Sequence, residues 1–209
     1  MTKEEKVNQI IKRLSKIYPQ PRTALIFSSP LELLVATILS AQATDKLVNL
    51  VTPQLFKKYK TVDDYAHASL EKLDSAVKRV NFHRNKVKNI KAAAQMIIEK
   101  YHGKVPDTME DLDSLPGVAR KTANVVLGNA FGKAEGIVVD THVMRLSKKL
   151  GLTNEKDPVK IELDLMKIVP KDKWIDFSHM LILHGRDMCP ARPHSCAGCP
   201  LADLCPEAP

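Results

Sequence analysis

Glycine and aromatic residues are both scarce in this chain, with 8 glycines in 209 residues and aromatic side chains at 5%. Sheet proteins use both freely, in turns and on strand faces, so their scarcity leans toward helix. No strand-hairpin pattern and no fixed-period repeat is present, and no apolar run is long or pure enough to span a membrane. Acidic residues are in deficit: 24 Asp and Glu stand against 32 Lys and Arg, a formal net charge of +8. A surplus of that size suits a polyanionic partner, nucleic acid before membrane, although a merely soluble basic protein would carry it equally well. The opening residues, Met1 to Lys6, mix charges and lack the features of a signal peptide, which points to an intracellular protein in which disulfides are uncommon. Cysteine is absent until position 189, and then four fall between 189 and 205.

What is present is helical punctuation. Hydrophobic content of 44% supports one large domain or two small lobes with a real core. Glu4 to Tyr18 reads as an amphipathic helix with Val7, Ile10, Ile11, Leu14 and Ile17 on one stripe, ended by Pro19-Gln20-Pro21. Ser28 or Ser29 before Pro30 starts a helix whose stretch Leu31 to Leu39 is apolar nearly all round and so belongs at a centre. Thr44 can cap the next helix, in which Pro53 predicts a kink or a restart at Thr52. Short helices follow from Thr61 and from Ser69. Val80 to Arg84 reads as a turn, and Asn85 to His102 as a long helix stopped by Gly103. Thr108 caps a segment from Met109 to Leu115, and Gly132 closes the helix after it. Asp140 is placed to cap Thr141 to Leu150, ended by Gly151. A helix from Asp157-Pro158 stops before Pro170, and Lys173 to His184, ended by Gly185, is the last long one. The class is all-α.

Three features carry chemistry. Leu115-Pro116-Gly117-Val118-Ala119-Arg120-Lys121 joins two helical segments through a Pro-Gly turn. In a helix-hairpin-helix such a turn points backbone N–H groups outward at a helix N-terminus, a natural phosphate site, whereas an ordinary αα-corner would look the same locally. Lys121 falls in the first turn of the second helix. A cation there faces the positive end of the dipole, an effect of about 0.3–1 kcal/mol. Partial burial adds to it, and both favour the neutral amine that attacks carbon electrophiles. The plain alternative is a solvated, phosphate-binding lysine. Asp140 is a candidate partner as well as a cap, and His142 and His184 read as structural. From Val77 to Ala92 there are six basic residues and no acid: Lys78, Arg79, Arg84, Lys86, Lys88 and Lys91. They surround Asn81-Phe82-His83, where a Phe at a tip can wedge into a base stack while cations hold phosphates, or can simply pack inward. Cys189, Cys196, Cys199 and Cys205 form a C-x6-C-x2-C-x5-C pattern. Four thiolates so close in sequence need a soft metal or a cluster. Zinc remains open, but a [4Fe–4S] cluster is slightly favoured, because only one short C-x2-C knuckle is present.

Together these residues resemble endonuclease III, the bifunctional glycosylase/lyase family of the helix-hairpin-helix superfamily, essentially from end to end. The strongest parts are Leu39 to Asp45, Leu115 to Leu127, Val139 to Val143, Leu181 to Arg186 and the cysteine spacing. The resemblance implies two α-helical lobes with duplex DNA in the cleft between them. One lobe would be residues 22–134, and the other would combine 1–21 with 135–209 and the cluster loop 189–205. It implies Lys121 as nucleophile and Asp140 as its acidic partner. Gln42 would fill the space left by a flipped nucleotide, and Phe82 would stand at the wedge position, usually leucine. His83, Arg84, Arg192 and the hairpin residues Gly117, Val118, Ala119 and Arg120 would contact DNA. The four cysteines would ligate a [4Fe–4S] cluster.

The implied activity is base excision repair: removal of oxidised pyrimidines from double-stranded DNA, then β-elimination at the abasic site through a lysine Schiff base. A monomer working in the cytoplasm of a prokaryotic-type cell, associated with the nucleoid and not with a membrane, is expected. The chain departs from the family pattern at Ala119, where a second hairpin glycine is usual. It departs again at Asn81, a glycine position for which asparagine's left-handed tolerance would substitute, and at His83, usually tyrosine. The loop Pro190 to Ser195, with Arg192 and His194, is less basic than usual. A non-catalytic or redox-sensing DNA-binding protein is the alternative. An adenine-mismatch glycosylase is a related reading, expected to lack the nucleophilic lysine and to carry a further domain after Pro209.

Overall fold

A computed structural model describes residues 1–208. Their regular structure is all helical, with no strand among the described residues. The chain divides into two compact units, one made of Met1–Arg22 with the chain from Ala134 onward, the other of Thr23–Lys133. The first unit opens with α1 (Lys3–Ile17), started by a capping box in which Thr2 and Glu5 satisfy each other's backbone N–H groups. Val7, Ile10 and Leu14 are fully buried, but Ile17 is exposed. Its position at the edge of the stripe, on the last helical residue, turns it out of the core, and Tyr18 takes its place there.

The second unit contains α2 (Pro30–Ser40), α3 (Asp45–Lys58), α4 (Val62–His67), α5 (Leu70–Val77), α6 (His83–Tyr101), α7 (Met109–Asp113) and α8 (Arg120–Ala130). Ser29, Thr44, Thr61, Ser69 and Thr108 each cap the following helix through the side-chain oxygen, as their sequence positions predict. Every residue of α2 from Leu33 to Leu39 is buried, and α3, α6 and α8 pack around it. That is the central helix the unbroken apolar stretch implies.

Two expectations in this unit are corrected. Of the kink or restart expected at Pro53, the restart does not occur, since α3 runs through it. Proline inside a helix costs about 3 kcal/mol. Here it sits on the exposed face, where the carbonyl it leaves unpaired can be hydrated. Val51 and Leu55 on the same helix are buried, at about 1.5–3 kcal/mol for each such side chain, so packing carries the helix on. The second correction concerns the turn before α6. The helix begins at His83, so His83 and Arg84 belong to its first turn rather than to the loop.

The first unit resumes with α9 (Thr141–Lys149), α10 (Pro158–Ile168) and α11 (Trp174–Asp187). Val143, Leu146, Ile161, Leu165, Phe177 and Leu181 complete a core with α1. The Lys3 and Lys6 ammonium groups donate to the carbonyls of Leu152 (2.9 Å) and Leu150 (3.0 Å), just past α9. Arg13 bonds the Pro200 carbonyl (2.8 Å) and pairs with the Asp203 carboxylate, holding that carboxyl below its usual range. The N-terminal helix therefore fastens both the end of α9 and the cysteine segment.

Gly185 does not end α11, contrary to expectation; the helix continues to Asp187. Its glycine serves a close approach instead. A Cβ at 185 would lie 2.9 Å from Nδ1 and 3.2 Å from Cβ of His142, and 3.2 Å from Cδ1 of Leu146. Gly185→Ala should therefore overpack the α9–α11 contact and lower unfolding stability by about 1–3 kcal/mol, measured by chemical denaturation, while Gly198→Ala, with nothing near its Cβ position, acts only through its backbone.

Candidate functional site

The hairpin is built by packing at both ends and strain in the middle. Leu115 and Val118 are buried, and the Val118 N–H closes a turn on the Leu115 carbonyl at 3.0 Å. Between them Gly117 has φ +77°, the left-handed region. A Cβ there would also collide with the Asn89 side chain of α6 at 2.7 Å, so this glycine has two reasons to be glycine. Ala119 is the N-cap of α8, at φ −102° and ψ 166°. That is ordinary extended backbone, so the alanine in place of a second glycine meets no backbone penalty.

The first N–H groups of any helix have no acceptor within it. Ala119 has no side-chain oxygen to turn on them, which leaves this end of α8 suited to a phosphate. Lys121 is the second residue of α8 and is exposed. The partial burial expected for it is not observed; the buried residues of α8 are Ala123, Asn124, Val126 and Leu127.

A second feature of this unit is an exposed tip. Phe82, 63% exposed, caps α6 at φ 56° and ψ 27° without a side-chain cap bond. Gln42, also exposed, has φ 55°. Left-handed backbone at residues other than glycine costs about 1–3 kcal/mol each and clusters at functional positions. The left-handed residue at the tip is therefore Phe82, not Asn81. Asn81 instead donates its side-chain amide to the Gln42 carbonyl at 3.2 Å, tying the two exposed residues together. His83 Nδ1 lies 2.5 Å from the Asp74 carboxylate, a partner that nothing in the sequence pattern marks. The structure thus brings Gln42, Asn81, Phe82 and His83 to one place.

The basic run divides. Lys78, Arg79, Arg84 and Lys88 are exposed. Lys86 is only 6% exposed, and its ammonium donates to the carbonyls of Leu39 (2.8 Å) and Ala41 (2.5 Å) at the end of α2. Burial pushes that ammonium below its ordinary value. Lys91 likewise donates to the Ala68 carbonyl at 2.6 Å. These two are structural cations, not phosphate ligands.

In the other unit, the buried run Ile137 to Val139 delivers Asp140 to the start of α9. Its Oδ1 accepts from the N–H groups of His142 (2.8 Å) and Val143 (2.9 Å), while Oδ2 takes no part in the cap. Burial pushes the imidazole of His179, on α11, below its ordinary value, with the charges of Asp176 and Asp140 opposing. His179 carried no signal in the sequence pattern. Lys121 and Asp140 belong to different units.

The Met188 and Cys189 N–H groups both bond the His184 carbonyl at the end of α11, so the helix leads straight into the first cysteine. Cys189, Cys196, Cys199 and Cys205 are all unpaired thiols, half-buried, and all line one cavity with Leu146, His184 and Leu201. Burial raises the Cys199 thiol, and the charges of the other three cysteines raise it further. A thiolate set of this kind needs a cation in its midst, and sulfur donors select a soft metal or an iron–sulfur centre. The residues present therefore fit such a group. Among the described residues, however, no three His, Cys, Asp or Glu side chains form a group that could itself hold a metal ion. Around the cavity, Arg145 donates to the Cys189 sulfur (3.6 Å) and to the Pro190 and Gly185 carbonyls (3.4 and 3.3 Å). His184 Nε2 lies 3.7 Å from the Cys199 sulfur. Arg192 is exposed, and its carbonyl lies 2.9 Å from Nδ1 of His194, which also lines the cavity.

Comparison with known proteins agrees with this arrangement. Residues 35–171 match the HhH-GPD superfamily base excision DNA repair proteins. The chain is 49% identical to endonuclease III of Synechocystis sp., over 99% of its own length and 94% of that protein. It is 48% identical to endonuclease III of Bacillus subtilis, over 93% and 89%. Its structure superposes with a TM-score of 0.93 on a trapped covalent intermediate of endonuclease III with DNA, the estranged-adenine complex, covering 100% of this chain and 98% of that one at 42% identity. Among the described residues, no helix is long and apolar enough to cross a membrane. At such identities over nearly the full length of both chains, this chain belongs to the endonuclease III family within the HhH-GPD superfamily.

Proposed function

We propose that the chain is a DNA glycosylase of base excision repair that removes oxidised pyrimidines from duplex DNA and then cuts the abasic site by β-elimination through Lys121. The observation that carries the reading is Lys121 itself: an exposed primary amine one residue inside the N-terminus of α8, directly after a hairpin whose backbone suits a phosphate. An amine held next to a bound DNA backbone is set to meet the sugar. That a related endonuclease III has been trapped in a covalent intermediate with DNA supports a nucleophilic group in the family.

In this mechanism the hairpin 117–120 and the cations Arg84 and Arg192, with His83, hold phosphates. Phe82 enters the base stack and Gln42 fills the space of the extruded nucleotide, at least cost where pairing is already weak. The Lys121 amine, relieved of a proton, attacks C1′ and the base departs with the bonding pair. Asp140 serves as the proton acceptor, or as the charge that stabilises the developing positive sugar. Its cap leaves Oδ2 for that work while two N–H groups fix Oδ1. The sugar opens to an iminium, a C2′ proton is lost, and the electrons expel the 3′ phosphate. The iminium is the electron sink, which an activated water could not provide.

Cys189, Cys196, Cys199 and Cys205 would hold a [4Fe–4S] cluster as a cross-link of the segment 189–205, whose regular structure is a single 3₁₀ turn, Ala202–Leu204. Duplex DNA with damaged pyrimidines or abasic sites is the partner, bound by a monomer in the cytoplasm at the nucleoid.

Borohydride should trap a covalent adduct between the protein and abasic-site DNA, and Lys121→Ala should abolish it. Binding without any adduct in the unmodified protein would favour a non-catalytic DNA-binding role instead. Asp140→Asn keeps a good N-cap, so its expected loss of about 10²–10⁴-fold in single-turnover base release would report chemistry rather than unfolding. Metal analysis should find iron with visible absorbance, and stoichiometric zinc would refute the cluster.

A further inference from the structure

The roles proposed for Gln42 and Phe82 need the two residues at a set spacing, and a closed ring of contacts joins them. Gln42 follows the last turn of α2, which has no basic residue of its own to meet its carbonyls. Lys86 supplies one from α6, bonding the Leu39 and Ala41 carbonyls and so fixing the backbone entering Gln42. The Gln42 carbonyl then accepts from Asn81, the residue before Phe82. Phe82 caps α6, and the Lys86 N–H returns to the Phe82 carbonyl at 3.3 Å. Residue by residue the ring runs Lys86, Ala41, Gln42, Asn81, Phe82 and back to Lys86. It encloses both exposed left-handed residues of this tip. A lysine buried to 6% exposure and spent on two main-chain carbonyls is unavailable to phosphate, so its purpose lies in what those carbonyls position.

We infer that Lys86, with Asn81, is a positioning residue for nucleotide extrusion, locking the wedge Phe82 and the gap-filling Gln42 into one rigid unit. This rests on the extrusion roles read for those two residues above. It makes Lys86 necessary for opening a duplex and unnecessary for the chemistry on a sugar that is already unstacked.

The test separates those steps. A duplex carrying an abasic site with 2-aminopurine opposite reports unstacking by fluorescence, and a single-stranded abasic oligonucleotide reports Schiff-base formation by borohydride trapping without any need for extrusion. Lys86→Met should lose the fluorescence rise and slow duplex cleavage on the order of a hundredfold, the scale of a misplacement of about 1 Å, while still trapping single-stranded DNA at the unmodified rate. Lys86→Arg, which can still donate to both carbonyls, should recover much of the signal. Asn81→Ala, at an exposed residue that leaves the core intact, should weaken unstacking in the same direction and serves if Lys86→Met fails to fold. Unstacking retained in both Lys86→Met and Asn81→Ala, or equal loss on duplex and single strand in a folded variant, would overturn the inference. Phe82→Ala and Gln42→Ala are the controls: if neither changes unstacking, it is the extrusion roles of those residues that fail, not the ring alone.

Discussion

A buried ammonium at the end of a helix is the constraint on which the exposed tip of the Thr23–Lys133 unit depends. Two hydrogen bonds from a charged donor contribute about 1.5–3 kcal/mol each, and the position of Lys86 beyond the C-terminal turn of α2 is favourable to the helix dipole as well. The two left-handed residues nearby cost about 1–3 kcal/mol each. The terms are of similar size, so the strain at Gln42 and Phe82 can stand in the protein without DNA. Both side chains are presented to solvent by backbone already in place. The same helix, α6, receives the hairpin through Asn89 against Gly117. One helix thus sets the tip and the Pro-Gly turn together.

The unit formed by the two ends of the chain works by a different principle. It has fewer strained residues and more long-range fastening of loops to helices. Lys3, Lys6 and Arg13 of α1 reach the carbonyls that follow α9 and the cysteine segment. Arg145 of α9 reaches across to Cys189, Pro190 and Gly185. These bonds position a segment with little regular structure of its own, and a bound cluster would complete the same task from within. Asp140 gains its orientation here from two main-chain donors, which fix a carboxylate more rigidly than one flexible side chain would.

Much of the fold was legible in the chain because helix starts are local events. Ser29, Thr44, Thr61, Ser69, Thr108 and Asp140 cap through bonds spanning two or three residues. What the pattern does not reveal depends on partners distant in sequence. Gly151 and Gly185 both follow apolar helical stretches, yet one is a left-handed terminator and the other lies within a helix against His142. Only packing distinguishes them. Lys86 and Lys91 are indistinguishable by type from Arg84 and Lys88, and their acceptors lie 45 and 23 residues away. The left-handed position falls on Phe82 although Asn81 has the better intrinsic tolerance, because the Asn81 amide is committed to Gln42. Lys121, Asp140 and the cysteines, to which the chemistry is proposed to belong, stood out through motif and order, whereas Asp74, Arg145 and His179 left no trace, being defined only by what they face.

The missing side chain at Gly185 has a reach beyond its own helix. It admits His142 to within contact distance of α11, and the amide of that same His142 is one of the two donors that hold Asp140. The last turn of α11 also delivers Cys189. The tolerance on a carboxylate and the course of the first cysteine are thus machined against a single surface, whose clearance is the size of one hydrogen atom.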